Sequence, residues 1–417
     1  MSRTVSKNLP YQILFALCVS VTYLNNYELT FAVWSLSILA TLKKRYSMTL
    51  VHLLACFAGI FAVAFVVAFF KEFPFYVYVR DVTYLLKPIL GILLGYQLCR
   101  NYEVKPFETI IYTSLFIGVI HIGIIFYSAM YYKILNIHEL RFYGGYFGDF
   151  EFFALIFLFF SKEFQLDISQ KRKWLLLLVI GFSAFLYVSR INFIQFFIIL
   201  LALKGYFRLT KRAIIIMTTF IVVVGTSYTI IYNMHLSRNG NGMEAFLFKI
   251  KNAPIEAFKT KVDKDDWQDF NDNYRSFENI ITVKQVSYDG TVTTLFGKGM
   301  GSRIDLGRKL WTNDQEFIRY IPMLHNAFMT IFLKSGLVGI ILCLIFLYLL
   351  GRRKASTDPV VHQLNLFFLG MAIFMLFAHW VLMGFYLKTD NKALVVGFLL
   401  CYREILIKRT RELPQHE

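Results

Sequence analysis

Cysteine is almost missing from this chain where it could staple or chelate. Cys18, Cys56, Cys99, Cys343 and Cys401 all fall inside apolar runs, and the one long hydrophilic stretch, residues 233–324, has none. Neither a disulfide framework nor a thiolate metal site follows from that pattern. Internal repeats and low-complexity tracts are also absent. The glycine-rich GKGMGS (297–302) lacks both the spacing of a phosphate-binding P-loop and a following strand–helix unit, so it reads as a turn. His52, His121, His362 and His379 stand in or at the ends of apolar runs without metal-ligand spacing. Asp263 and Asp265, in DKDDWQD, have the Asp-x-Asp spacing that some nucleotide-sugar transferases use for a divalent ion. No α/β nucleotide-binding pattern accompanies them, so they read as a solvated charge run. No small-residue cleavage site follows the first apolar run, and residues 10–24 therefore read as a retained helix.

What the chain has in excess is apolar sequence: 57% hydrophobic residues, 44 phenylalanines in 417 positions and a mean hydropathy of +0.53. Soluble proteins do not look like this. Twelve apolar runs, each near the length that crosses a hydrocarbon core of about 30 Å, lie at 10–24, 28–42, 50–70, 81–99, 107–131, 148–161, 174–189, 191–207, 213–232, 325–350, 362–386 and 392–407. The fold class predicted is all-α, a polytopic membrane protein with about twelve transmembrane helices. Runs 28–42 and 148–161 are short for a straight crossing and are expected to tilt, kink or lie partly in the interface. Helices one to nine occupy residues 1–232, one large loop occupies 233–324, and helices ten to twelve with a tail occupy 325–417.

A formal charge of +17 raises the question of nucleic acid, but its placement answers otherwise. Short loops on one side hold twenty-one Lys and Arg, those on the other only Lys71, Arg80, Lys133, Arg141 and Lys388. This positive-inside asymmetry predicts cytoplasmic termini and a periplasmic 233–324 loop, so the basic excess is mostly topological. The loop itself is near neutral, with thirteen basic against twelve acidic residues. EAFLFKIKNAPIEAFKTKV and NYRSFENIITVKQV space their apolar residues at three and four, which predicts helices, before turn chemistry takes over in LFGKGMGSRIDLG. The loop is expected to be a mainly helical cap.

On this topology three groups converge on the outer boundary: Arg190 in LYVSRINFIQ, Arg275 in NYRSFENI and His325 in HNAFMTIFLKSGLVG. Arg190 either solvates the last carbonyls of its helix or binds an anion at the membrane surface, for which a planar, permanently charged fork is well suited. Arg275 is either a surface residue or a partner in that task. His325 either starts a helix with a satisfied ring or, with a near-neutral pKa, takes a proton from an attacking hydroxyl or holds it. Lys334, nine residues on, is expected on the opposite side of a continuous helix, snorkelling toward the headgroups. Asp81, Lys87, Asp149 and Glu151 are near-membrane charges whose partners spacing does not name.

The segment His325-Asn326, nine residues, Gly336, two residues, Gly339 resembles the signature of the O-antigen ligase and O-antigen polymerase superfamily, GT-C-type glycosyltransferases of the bacterial inner membrane. VSRINFIQF is similar to the family's Ser-Arg at the outer end of a mid-chain span, with Ile191 where a Gly is usual. NYRSFENIITVKQV followed by TLFGKGMGS resembles its Arg-bearing helix and Phe-Gly-x-Gly-x-Gly turn, and LRFYGGYFGDFEFFAL, with Glu151 where many members carry Asn, resembles its Arg/Gly/Phe/Ala pattern. The similarity covers roughly residues 140–340.

The resemblance implies that Arg190 and Arg275 hold the diphosphate of an undecaprenyl-diphosphate-linked oligosaccharide and that His325 orients or deprotonates the acceptor hydroxyl. It places Asn326 and Arg141 on the substrate side and calls for no metal or other cofactor. The enzyme expected is an inverting polymerase of O-antigen or related surface polysaccharide, with transfer to lipid A-core by a ligase as the alternative and a non-enzymatic flippase third. The Val338 before the second Gly leans toward polymerase. The lipid bilayer and a polysaccharide chain-length regulator are candidate partners, and no nucleic acid is.

Overall fold

The computed structural model describes residues 9–412 apart from 100–104, 135, 146, 147, 149, 188, 208, 209, 238–241, 264 and 312–316. The described residues form seventeen α-helices. In the first part of the chain these are α1 (Leu9–Ser20), α2 (Tyr27–Ala40), α3 (Met48–Phe69), α4 (Phe75–Leu98), α5 (Pro106–Tyr132), α6 (Ile137–Gly144), α7 (Phe150–Phe159), α8 (Gln170–Leu186), α9 (Arg190–Leu203) and α10 (Lys211–Asn233). The loop carries α11 (Gly242–Phe258), α12 (Trp267–Asp272), α13 (Tyr274–Tyr288) and α14 (Thr291–Phe296), and the chain ends with α15 (Ala327–Gly351), α16 (Pro359–Val381) and α17 (Lys392–Glu412). Every one of the twelve apolar runs is helical. Five helices, α3, α5, α10, α15 and α16, are long and apolar enough to cross a membrane by length and composition, and α1, α2, α7 and α9 are shorter apolar helices. The chain is thus an all-α protein of membrane type.

Helices are what such a sequence must form, because a backbone in hydrocarbon has to satisfy its own polar groups. Their starts are fixed by polar caps: Asn26, Ser47, Thr210 and Asp358 accept bonds from amides of the first turns of α2, α3, α10 and α16. Small residues set the packing. α4 and α17 meet backbone to backbone, and a Cβ added at Gly95 or Gly397 would lie 2.0 Å from a carbonyl oxygen of the other helix, Leu394 and Ile92 respectively. Such close approach is the usual means of associating helices in lipid, where there is no hydrophobic drive between them. α15 packs on α3 and α16, and α16 in turn on α9.

The loop is a mainly helical cap, as its periodicity predicts, and it also contains a hairpin that the sequence reading did not anticipate. Strands β1 (Ile304–Trp311) and β2 (Phe317–Ile321) pair antiparallel, with Ile304 opposite Ile321 and a register shift before Leu310 opposite Ile318. Phe270, Phe277, Leu306 and Ile321 form the loop's core, while Val286, Ile304 and Leu324 join Phe332 and Leu333 of α15. The cap is therefore welded to the start of α15 by apolar contact.

α15 is not continuous. Gly336 sits at φ 62°, ψ −157°, which breaks the helix and leaves a half-helix from Ala327 to Ser335. Its freed carbonyls are satisfied by the glycine-rich turn after α14: Lys298 N donates to Leu333 O at 2.7 Å and Gly299 N to Lys334 O at 3.1 Å. The same turn reaches α3 through Met300 N to Ala64 O (3.0 Å) and α4 through Gly301 N to Asp81 Oδ2 (2.7 Å). Lys334 corrects the snorkelling expectation. Both Lys334 and Asp81 are fully buried; Lys334 Nζ pairs with Asp81 Oδ2 at 2.5 Å and donates to Ser302 O at 2.5 Å. The side chain points inward, where the ion pair locks turn, half-helix and α4 together.

Candidate functional site

His325 stands two residues before the half-helix, and its backbone is held on both sides. Asn326 caps α15 by accepting from Met329 N at 3.1 Å, Ala327 N donates to Leu382 O at 3.1 Å, and Leu324 N donates to Thr330 Oγ1 at 3.0 Å. With the main chain fixed, the imidazole projects from the protein with its side chain 53% exposed.

Across from it lies α13, whose Phe277 faces the loop core. Tyr274 and Glu278 are four apart and share a second face, which meets His325. Glu278, only 1% exposed, accepts from His325 Nδ1 at 3.0 Å and from His325 N at 3.1 Å. The Tyr274 ring meets the imidazole edge to face with centroids 5.8 Å apart. Burial and the Glu278 charge push the Tyr274 hydroxyl pKa up, so it stays a donor. No described residue bonds to His325 Nε2, which leaves that nitrogen for a ligand. Enclosure of the ring works against its charged form, yet the hydrogen bond and charge of Glu278 outweigh it. Arg275 opposes and Glu256 assists, and the net result is a His325 pKa above the ordinary 6.5.

Helix α11 bridges the histidine to the arginines. Arg190, the first residue of α9, donates from Nη1 to Lys249 O of α11 at 3.1 Å. About two turns along, Glu256 Oε1 lies 3.5 Å from Arg275 Nε of α13, and Ser276 Oγ donates to Glu256 O at 2.6 Å. Phe258 at the end of α11 stacks on Trp380 of α16, centroids 5.8 Å apart, which docks α11 on the bundle. Glu256 and Arg275 are both within electrostatic reach of Arg190 and of His325. Arg190 and His325, from separate segments, are thus each linked to the Glu256–Arg275 pair between α11 and α13. Guanidiniums in such an arrangement can take an anion, and an exposed imidazole can hold a hydroxyl.

Asn326, expected on the substrate side, is 2% exposed and spends its side-chain oxygen on the cap, while its Nδ2 has no hydrogen-bond partner among the described residues. Asn326→Ala should cost about 0.5–2 kcal/mol of stability as a lost N-cap, whereas Asn326→Ser should restore most of it. Thermal unfolding in detergent reads the difference. Arg141 belongs to α6, and its side chain, like Asp149, lies outside the described residues. The near-membrane charges have partners: Lys87 donates to the carbonyls of Leu387, Lys388 and Asp390, and Glu151 accepts from Tyr23, Ser183 and Tyr187. Asp263 accepts from the amide of Asp265 at 2.9 Å, an ordinary turn. Glu278 and Glu256 are the two site residues that the sequence reading passed over. Glu278 had a signal, since it falls three residues after Arg275 and four after Tyr274, but its partner is 47 residues away.

Compared with protein-family models, curated proteins and solved structures, the chain matches none of them.

Proposed function

We propose that this protein is a polysaccharide polymerase that transfers an undecaprenyl-diphosphate-linked glycan to the non-reducing-end sugar of a second lipid-linked repeat unit. The observation that carries the reading is the meeting of Arg190, Arg275 and the Glu278-bound His325 at one end of the helical bundle. In this reading the twelve apolar helices all cross the bacterial inner membrane, both termini are cytoplasmic, and the α11–α14 cap covers the periplasmic face.

The chemistry is a displacement at the donor's anomeric carbon. The acceptor hydroxyl gives its proton to His325 Nε2 as its oxygen bonds to that carbon. The bond from carbon to diphosphate oxygen breaks, and its electron pair stays on the departing undecaprenyl diphosphate. Negative charge grows there as the bond lengthens, so fixed guanidiniums stabilise the transition state more than the ground state. Attack opposite the leaving group inverts the anomeric centre, and the histidine returns its proton to solvent.

Transfer of the same donor to lipid A-core uses the same three residues, so the acceptor is identified by what accumulates without the protein. A gel of surface polysaccharide from a deletion strain should show a single repeat on core. Bare core with long lipid-linked chains would instead assign the protein as a ligase.

A further inference from the structure

Glu278 is a carboxylate buried in a cap that has water on its far side. Burying an anion costs several kcal/mol unless donors replace the lost water. Two donors do so here: His325 N at 3.1 Å and His325 Nδ1 at 3.0 Å. Both belong to one residue, and that residue is exposed. Were the carboxylate there only to pin the chain before α15, the backbone bond would suffice and a neutral amide could make it.

We infer that Glu278 is the positioning residue for His325: by accepting from Nδ1 it fixes the tautomer whose Nε2 lone pair faces the site, and it stabilises the imidazolium formed when the acceptor's proton arrives. The inference rests on the glycosyl-transfer reading above for its consequence, but not for its geometry. A carboxylate behind a histidine is a recurrent way to set ring orientation and basicity. The charged and titratable groups facing the imidazole are Glu278, Tyr274 and Arg275 from α13 and Glu256 from α11. Of these only Glu278 contacts Nδ1, so it sets the sign. A base must be neutral to act, so transfer should rise with pH through the His325 ionisation, which lies above 6.5 in the intact site. Removing the Glu278 charge should move that limb to lower pH and lower the plateau.

The test uses the full-length protein in detergent and two readouts on Glu278→Gln and Glu278→Asp. The first needs no substrate: diethyl pyrocarbonate modifies neutral imidazole, and mass spectrometry of the His325 peptide against pH gives its apparent pKa. Glu278→Gln should lower that pKa relative to wild type, and Glu278→Asp should keep it higher than Gln does. The second readout is transfer. Glu278→Gln should reduce kcat about 10²–10⁴-fold, the range for loss of an effective acid–base group, with KM for the lipid donor little changed, and Asp should recover part of the rate. An unchanged His325 pKa in the Gln variant, or Asp performing no better than Gln, would overturn the inference. If the pKa shifts as stated but wild-type protein transfers no glycan, the Glu278–His325 linkage stands and the glycosyl-transfer reading fails.

Discussion

His325→Ala is expected to reduce glycan transfer by about 10²–10⁴-fold, roughly 3–5 kcal/mol of transition-state stabilisation, while leaving expression, membrane insertion and donor binding close to wild type. The separation follows from where the side chain sits. The ring is half exposed and packs mainly against Tyr274 and Glu278, so its loss removes little apolar contact. Glu278 keeps its bond from the backbone N of residue 325, which limits the cost of its burial. Donor binding rests on Arg190 and Arg275, held through α11, and those contacts do not pass through the imidazole. Transfer assayed beside detergent-solubilised Tm checks both halves, and near-wild-type transfer would sink the assignment of His325.

Lys334→Met should cost about 3–5 kcal/mol, because removing one partner of a buried ion pair strands the other charge. Asp81 would be left fully buried with Gly301 N as its one donor among the described residues, and Ser302 O would lose the Lys334 bond. Adding Asp81→Asn removes the stranded charge while keeping an oxygen for Gly301 N, so the double variant should regain a large share of the lost Tm. An additive pair of losses would contradict the account. Because Lys334 lies two residues before the Gly336 break and its carbonyl is tied to the Gly299 amide, the single variant should also loosen the half-helix that carries His325 and reduce transfer. That reduction should recover in the double variant, which distinguishes it from a direct chemical role.

The same residues show what the sequence makes legible. Twelve apolar runs announce twelve helices because hydrophobic periodicity and length are local properties, and α11 and α13 announce themselves the same way. Arg190, Arg275 and His325 stand out because each is a charge or a histidine at the border of an apolar segment. Lys334 misled because a lysine in an apolar run looks the same whether it snorkels or pairs with a buried acid, and its partner Asp81 is 253 residues away. The break depends on Gly336 taking a left-handed φ against the backbone of Leu295 and Phe296, a contact made by a segment forty residues upstream. The hairpin was hidden because β1 follows directly on the glycine-rich turn, and its inward residues Ile304, Leu306 and Ile321 are buried only by packing in the cap. Glu278 was hidden for the same reason: a buried acid looks like a surface acid until its donor is placed.

The most direct measurement uses purified protein in vesicles supplied with undecaprenyl-diphosphate-linked repeat units, counting both released undecaprenyl diphosphate and lengthened glycan. The account predicts one undecaprenyl diphosphate released per new glycosidic bond for wild type, and neither product above background for Arg190→Ala combined with Arg275→Ala at unchanged Tm. Oligosaccharide that crosses the bilayer with its bonds intact, or an arginine double variant that releases diphosphate at the wild-type rate, would contradict it.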